Sequence, residues 1–93
     1  MIDSILANVK EFIDTKNANK KWTAGVDVVQ YSGPYFDHNE YEAAVKSLLS
    51  GWLVLGRDAQ KFERQFPKLV GKDFGILTNS GSSSNLIQIQ QCC

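Results

Sequence analysis

One short apolar run, Phe74-Gly75-Ile76-Leu77-Thr78, limits what this chain can build. It leads into Asn79-Ser80-Gly81-Ser82-Ser83-Ser84-Asn85, after which apolar residues resume from Leu86. That order predicts a buried strand, a tight turn and a helix. A strand of parallel type needs neighbours on both edges and cover on both faces. The chain offers no second strand–helix unit after this one. Its 93 residues suffice for a single small domain with a modest core. The expected fold class is therefore α/β in pattern but helix-rich and incomplete.

The helices are legible from their spacing. Ile2, Ile5, Leu6, Val9, Phe12 and Ile13 share one face and predict a helix over residues 3–15, with Asp3 or Ser4 as cap. The polar stretch from Lys16 to Lys21 reads as a linker, and its lysines as a solvated face. Trp22 and the run from Val26 to Tyr31 predict a short extended segment, closed by Ser32-Gly33-Pro34. Asp37 and Glu40 fit a capping box, and Phe36 and Tyr41 stand where a hydrophobic staple belongs. Behind them Tyr41, Ala44, Val45, Leu48 and Leu49 predict a helix over 38–50 that ends at Gly51. Phe62, Phe66, Leu69 and Val70 predict another over 58–70, closed by Gly71. Pro67 conflicts with it, because proline removes the hydrogen bond to the Glu63 carbonyl, so a kink or two shorter pieces are expected.

Composition excludes several classes of function. Ten basic and ten acidic side chains cancel, which gives no reason to expect nucleic acid or an anionic membrane as partner. No apolar run is long enough to span a bilayer. Asp3 stands where a signal peptide needs positive charge, so a cytoplasmic protein is expected. Cys92 and Cys93 are adjacent and terminal, without spacing for a disulfide or a metal site, and receive no role. His38, the one histidine, falls in a first helical turn between Asp37 and Glu40 and reads as a surface residue. No catalytic or metal-binding residue is assigned.

The serine cluster allows three readings: a flexible polar loop, a serine-capped helix start without a ligand, or a phosphate cradle at a helix N-terminus. It is not a Walker A loop, having no lysine after the glycine and serines. Nor is it a nucleophile elbow, because Ser83 is followed by Ser84 and Asn85 without the second glycine.

A wider pattern bears on that choice. Ser50-Gly51-Trp52-Leu53 with Gly56, then Lys61-Phe62-Glu63-Arg64 with Phe66, then Gly71 and Asn79-Ser80-Gly81-Ser82-Ser83 with Asn85-Leu86, resembles the start of the DegT-type sugar-nucleotide aminotransferases. The form of the last segment, with Tyr31-Ser32-Gly33 and Phe36-Asp37 upstream, is most similar to the branch of CDP-4-keto-6-deoxyglucose 3-dehydratases. The resemblance covers residues 26 to 87. It divides the chain into a leading helix and linker, 1–25, and the start of a cofactor-binding large domain, 26–93.

The resemblance implies a fold-type I enzyme dependent on pyridoxal phosphate, a three-layer αβα domain, and a nucleotide-linked keto-sugar as substrate in lipopolysaccharide or deoxysugar biosynthesis. Family members are homodimers. At the matching positions Gly81, Ser82 and Ser83 are implied to hold the cofactor phosphate, Ser82 standing where threonine is usual. Trp52 and Gly56 match a segment on the substrate side. The family's aspartate for the pyridine nitrogen has no counterpart here. Neither Lys68 nor Lys72 matches its cofactor-binding lysine, which is a histidine in the dehydratase branch. Cys92 and Cys93 do not match that branch's cluster cysteines. The Ile87–Gln91 stretch departs from the family pattern, and a truncated or frameshifted reading frame is expected. The leading expectation is an N-terminal fragment, inactive alone. The alternative is a small non-enzymatic helical interaction module.

Overall fold

The computed structural model describes all of residues 1–93. It contains four helices, α1 (Ile2–Ala18), α2 (His38–Leu49), α3 (Arg57–Leu69) and α4 (Gly81–Cys92). None is long and apolar enough to cross a membrane. The chain divides into two compact units, Met1–Leu53 and Val54–Cys93.

In the first unit α1 packs on α2. Ile13 is the residue of α1 that becomes buried, at 5% exposure. Two polar contacts join the helices at one end. The Asp14 carboxylate meets His38 Nδ1 at 2.9 Å, and Asn17 Nδ2 donates to the Phe36 carbonyl at 3.2 Å. Lys10 also pairs with Asp14, and that bond more than the histidine holds the Asp14 carboxyl below the usual carboxylate range. His38 is thus half-buried and partnered rather than a free surface residue, since α1 runs past residue 15 to Ala18 and carries Asp14 across to it. Compactness places a boundary at 53/54 and groups α1 with α2, whereas the family resemblance divides the chain at 25/26.

The start of α2 is built as its sequence predicts. Asp37 Oδ1 accepts the Asn39 amide at 2.7 Å, and Glu40 Oε2 accepts the Asp37 amide at 2.8 Å. Phe36 and Tyr41 meet edge to face with ring centroids 6.0 Å apart, completing the staple. Gly51 closes the helix in the left-handed region at φ 75°. Hydrogen bonding by the Asn39 amide, first of all, holds the Asp37 carboxyl below its ordinary value of 3.8. A carboxyl depressed by folding stabilises the fold above its unfolded value, and that contribution fades as pH falls through the folded one. Acidification through this range is expected to fray the first turn of α2, read as faster exchange of the Asn39 amide. Asp37→Asn, which keeps the acceptor, should hold the turn and remove the Asp37 share of the pH dependence.

Two predicted extended segments do not become strands. After Trp22 the chain turns, with Gly25 at φ 81°, the Thr23 carbonyl accepting the Asp27 amide at 2.9 Å and Asp27 Oδ2 accepting the Thr23 amide at 2.7 Å. Val26, Val28 and Val29 stay exposed and join no strand. Phe74–Thr78 likewise forms no ladder. The physical reason is the one that limits the sequence: strand pairing needs a second strand, and the chain brings none alongside.

In the second unit, a side chain does part of a missing strand's work. Glu63 Oε1 accepts the Leu77 amide at 2.9 Å and ties residues 74–78 to α3. Gly75 lies directly on Pro67, so close that a Cβ there would come within 2.5 Å of Pro67 Cγ and 3.1 Å of the Glu63 carbonyl. Pro67 does not divide α3, which runs unbroken from Arg57 to Leu69. It sits in the last turn, it is buried, and the Glu63 carbonyl that it leaves unpaired faces the glycine. Beyond it the helix closes as a Schellman motif: Lys72 N donates to Pro67 O at 2.8 Å, Gly71 N donates to Lys68 O at 3.3 Å, and Gly71 has φ 68°. Phe62 and Phe66 stack with centroids 5.0 Å apart.

Candidate functional site

The site is the start of α4. Ser80 is extended and caps the helix, its Oγ accepting the Ser83 amide at 3.1 Å. Its carbonyl accepts the Ser84 amide at 3.1 Å, the first bond of the helix. Hydroxyl contacts fix the turn from behind. Ser83 Oγ donates to Asn79 Oδ1 at 2.6 Å, and Ser80 Oγ donates to Ser83 Oγ at 3.1 Å. Thr78 Oγ1 donates to the Ser80 carbonyl at 2.9 Å and also meets the Ser84 hydroxyl.

This network divides the three predicted cofactor residues. Ser83 is consumed inside the chain, its amide by the cap and its hydroxyl by Asn79. The amides of Gly81 and Ser82 and the Ser82 hydroxyl have no partner in the chain, and both residues are exposed. A Cβ built at Gly81 would meet nothing within 4 Å, so the approach to these groups is open. No acidic residue stands in the first turn of α4, where the helix dipole favours an anion. Two free amides and a hydroxyl at a helix N-terminus fit one phosphate group.

Gly56 is the N-cap of α3 in the same unit, where it gives no side-chain cap, and Trp52 belongs to the first unit. The Trp52 amide donates to Ser50 Oγ at 3.3 Å. No histidine, cysteine, aspartate or glutamate cluster could hold a metal ion, and Cys92 and Cys93 are exposed free thiols. Sequence reasoning missed Thr78, Asn79 and Ser84 as the residues that set the turn, and Glu63 as the anchor of the approach to it. Glu63 did carry a signal, as part of Phe62-Glu63 in the wider pattern. The other three lie inside the motif, but hydroxyl and amide pairing within a turn leaves no mark in spacing.

Residues 34–92 match the sequence profile of the DegT/DnrJ/EryC1/StrS aminotransferase family, and the chain belongs to that family. It is similar to the lipopolysaccharide biosynthesis protein RfbH of Salmonella typhimurium, 32% identical over 81 residues that make up 87% of this chain and 18% of that protein. It is similar to the dTDP-4-dehydro-2,6-dideoxy-D-glucose 3-dehydratase of Saccharopolyspora spinosa, 31% identical over 87 residues, 94% of this chain and 19% of that one. Over 54 residues it is 33% identical to the GDP-4-keto-6-deoxy-D-mannose 3-dehydratase of Escherichia coli, 58% of this chain and 14% of that protein. The chain thus spans less than a fifth of the length of these relatives. No solved structure matches it.

Proposed function

We propose that the chain is the leading portion of a cytoplasmic, pyridoxal-phosphate-dependent enzyme of fold type I. The enzyme acts on a nucleotide-linked keto-sugar in lipopolysaccharide or deoxysugar biosynthesis. The observation that supports this most is the open donor set at the start of α4, in a chain of this family. Gly81 and Ser82 would hold the cofactor phosphate through their amides, and Ser82 through its hydroxyl as well. Ser83 acts behind them, fixing the turn through Ser80 and Asn79 so that the amides converge before the anion arrives. When bound, the cofactor would supply an electron sink for breaking a bond in the substrate. Residues 1–93 give it a seat but no acid, base or covalent anchor, and no turnover is expected of the chain alone. Two of the relatives are named as 3-dehydratases, which favours removal of a sugar hydroxyl over amino transfer.

The test is a titration of the labelled chain followed by amide shifts. Pyridoxal phosphate should perturb Gly81 and Ser82, pyridoxal without phosphate should not, and Ser82→Ala should weaken the response about tenfold, the size of one charge-assisted hydrogen bond. Equal responses to both compounds would sink the cradle. A product trapped by borohydride on one specific lysine would overturn the expected inactivity.

A further inference from the structure

Arg57, Lys61, Arg64 and Lys68 recur along α3 at intervals of four, three and four residues. With 3.6 residues per turn and 1.5 Å rise, this keeps them within an arc of about 60° along about 16 Å of helix. By the same geometry Phe62, Phe66 and Leu69 lie on the opposite side, Asp58 lies off the arc, and the Glu63 carboxylate is turned to the Leu77 amide. None of the four cations is in an ion pair, since the ion pairs of the chain are those of Lys10 and His38 with Asp14. Like charges at these spacings repel, and Arg57 stands at the positive end of the helix dipole as well. The chain as a whole is neutral, so the stripe is a local concentration and not a by-product of composition.

Three of these cations line a concavity. Arg57, Gln60, Lys61, Arg64 and Gln65 border a shallow, open cavity of about 310 Å³ between side chains on one side of α3. Arginine forks donate two parallel hydrogen bonds to phosphoryl oxygens, lysine adds a point charge, and glutamine amides can donate to the remaining oxygens. We propose that this cavity binds a diphosphate group. The further step, that its occupant is the diphosphate of a nucleotide-linked sugar, rests on the function proposed above. A diphosphate carries several negative oxygens spread over about one helical turn, the interval between successive cations, and the long side chains of Arg57 and Arg64 can close on it from either side of Lys61. A membrane surface matches less well, because an interfacial helix must present its cations and its apolar face to the same side, and here they point apart.

The experiment follows arginine Nε–H and glutamine side-chain amide signals of the 93-residue chain while probes are added at constant ionic strength. Inorganic pyrophosphate and CDP-glucose should each give saturable shifts at Arg57, Arg64, Gln60 and Gln65, with sulfate at least tenfold weaker. Arg57→Gln/Arg64→Gln should weaken binding at least tenfold, while Lys20→Gln/Lys21→Gln, an equal loss of charge elsewhere, should leave it within twofold. Circular dichroism checks that both variants keep their helix content. A sulfate response equal to that of pyrophosphate, or unchanged binding in the arginine variant, overturns the site. Binding to phosphatidylglycerol vesicles alone overturns it in favour of a membrane surface. Pyrophosphate binding without CDP-glucose binding overturns the sugar-nucleotide assignment. The Gly81 and Ser82 amides, followed in the same sample with pyridoxal phosphate, report separately on the cofactor seat.

Discussion

Ile13→Ala is expected to undock α1 from α2. Truncating a buried isoleucine to alanine costs about 2–5 kcal/mol, the transfer of the lost carbons plus the cavity they leave. Ile13 is the buried hydrophobic residue of the first unit, and the residues around it on α1 are half-buried or exposed, so water can enter and the cost falls near the lower figure, about 2 kcal/mol. A small unit with one such residue has little to spare. The readout is the ring contact between Phe36 and Tyr41 and the exchange of the Asn39 amide. The staple is local to α2 and should survive, whereas the His38–Asp14 and Asn17–Phe36 contacts should vanish together. Phe12→Ala is the control: Phe12 is larger, but it is 67% exposed, and its loss should change stability by no more than about 0.5 kcal/mol. Equal effects of the two substitutions would show that Ile13 does not hold the helices together.

Gly75→Ala is expected to cost about 1–3 kcal/mol, the usual penalty of inserting a carbon where none fits. The obstacle is not a flexible side-chain end. It is a proline ring in the last turn of α3, with the Glu63 carbonyl beside it. The methyl can be accommodated only by moving residues 74–78 off α3, which stretches the bond from the Leu77 amide to Glu63. Accelerated exchange of the Leu77 amide is therefore the specific sign, distinct from general unfolding. Gly33→Ala adds the same methyl where nothing lies within 4 Å and should be neutral within about 0.5 kcal/mol. Unchanged Leu77 exchange in the Gly75 variant would mean that the contact with Pro67 does not set the position of this segment.

What could be read in advance was what is encoded within a few residues. Asp37, Glu40, Phe36 and Tyr41 specify the start of α2 by local spacing, and Gly51 and Gly71 its end and that of α3 by their freedom at positive φ. Ser80 as cap of α4 belongs to the same kind. What failed was what depends on a partner. Phe74–Thr78 has the composition of a strand, but composition cannot supply the neighbour that makes one, and Glu63 takes up one amide in its place. Pro67 reads in sequence as a break or kink in α3, but it stands two residues from the helix's last residue, where the helix is ending anyway, and what it forfeits is the bond to the Glu63 carbonyl. The bond between His38 and Asp14 spans 24 residues and has no local trace at all. At the site, spacing indicated the cap and the small residues; the division of labour between Ser82, left open, and Ser83, turned inward, follows from hydroxyl geometry alone.

The seat of Gly75 on Pro67 also constrains the order in which this lineage can change. With the ring in place, any side chain at position 75 is penalised, whatever its chemistry. Pro67→Ala removes the ring, and with it the closest contact around position 75, leaving the Glu63 carbonyl at 3.1 Å as the remaining neighbour. The two sites are epistatic: a substitution at 67 is permissive for one at 75, and the reverse order passes through a destabilised intermediate. Relatives that carry a side chain at the position of Gly75 should accordingly lack proline at the position of Pro67, while glycine there is compatible with either.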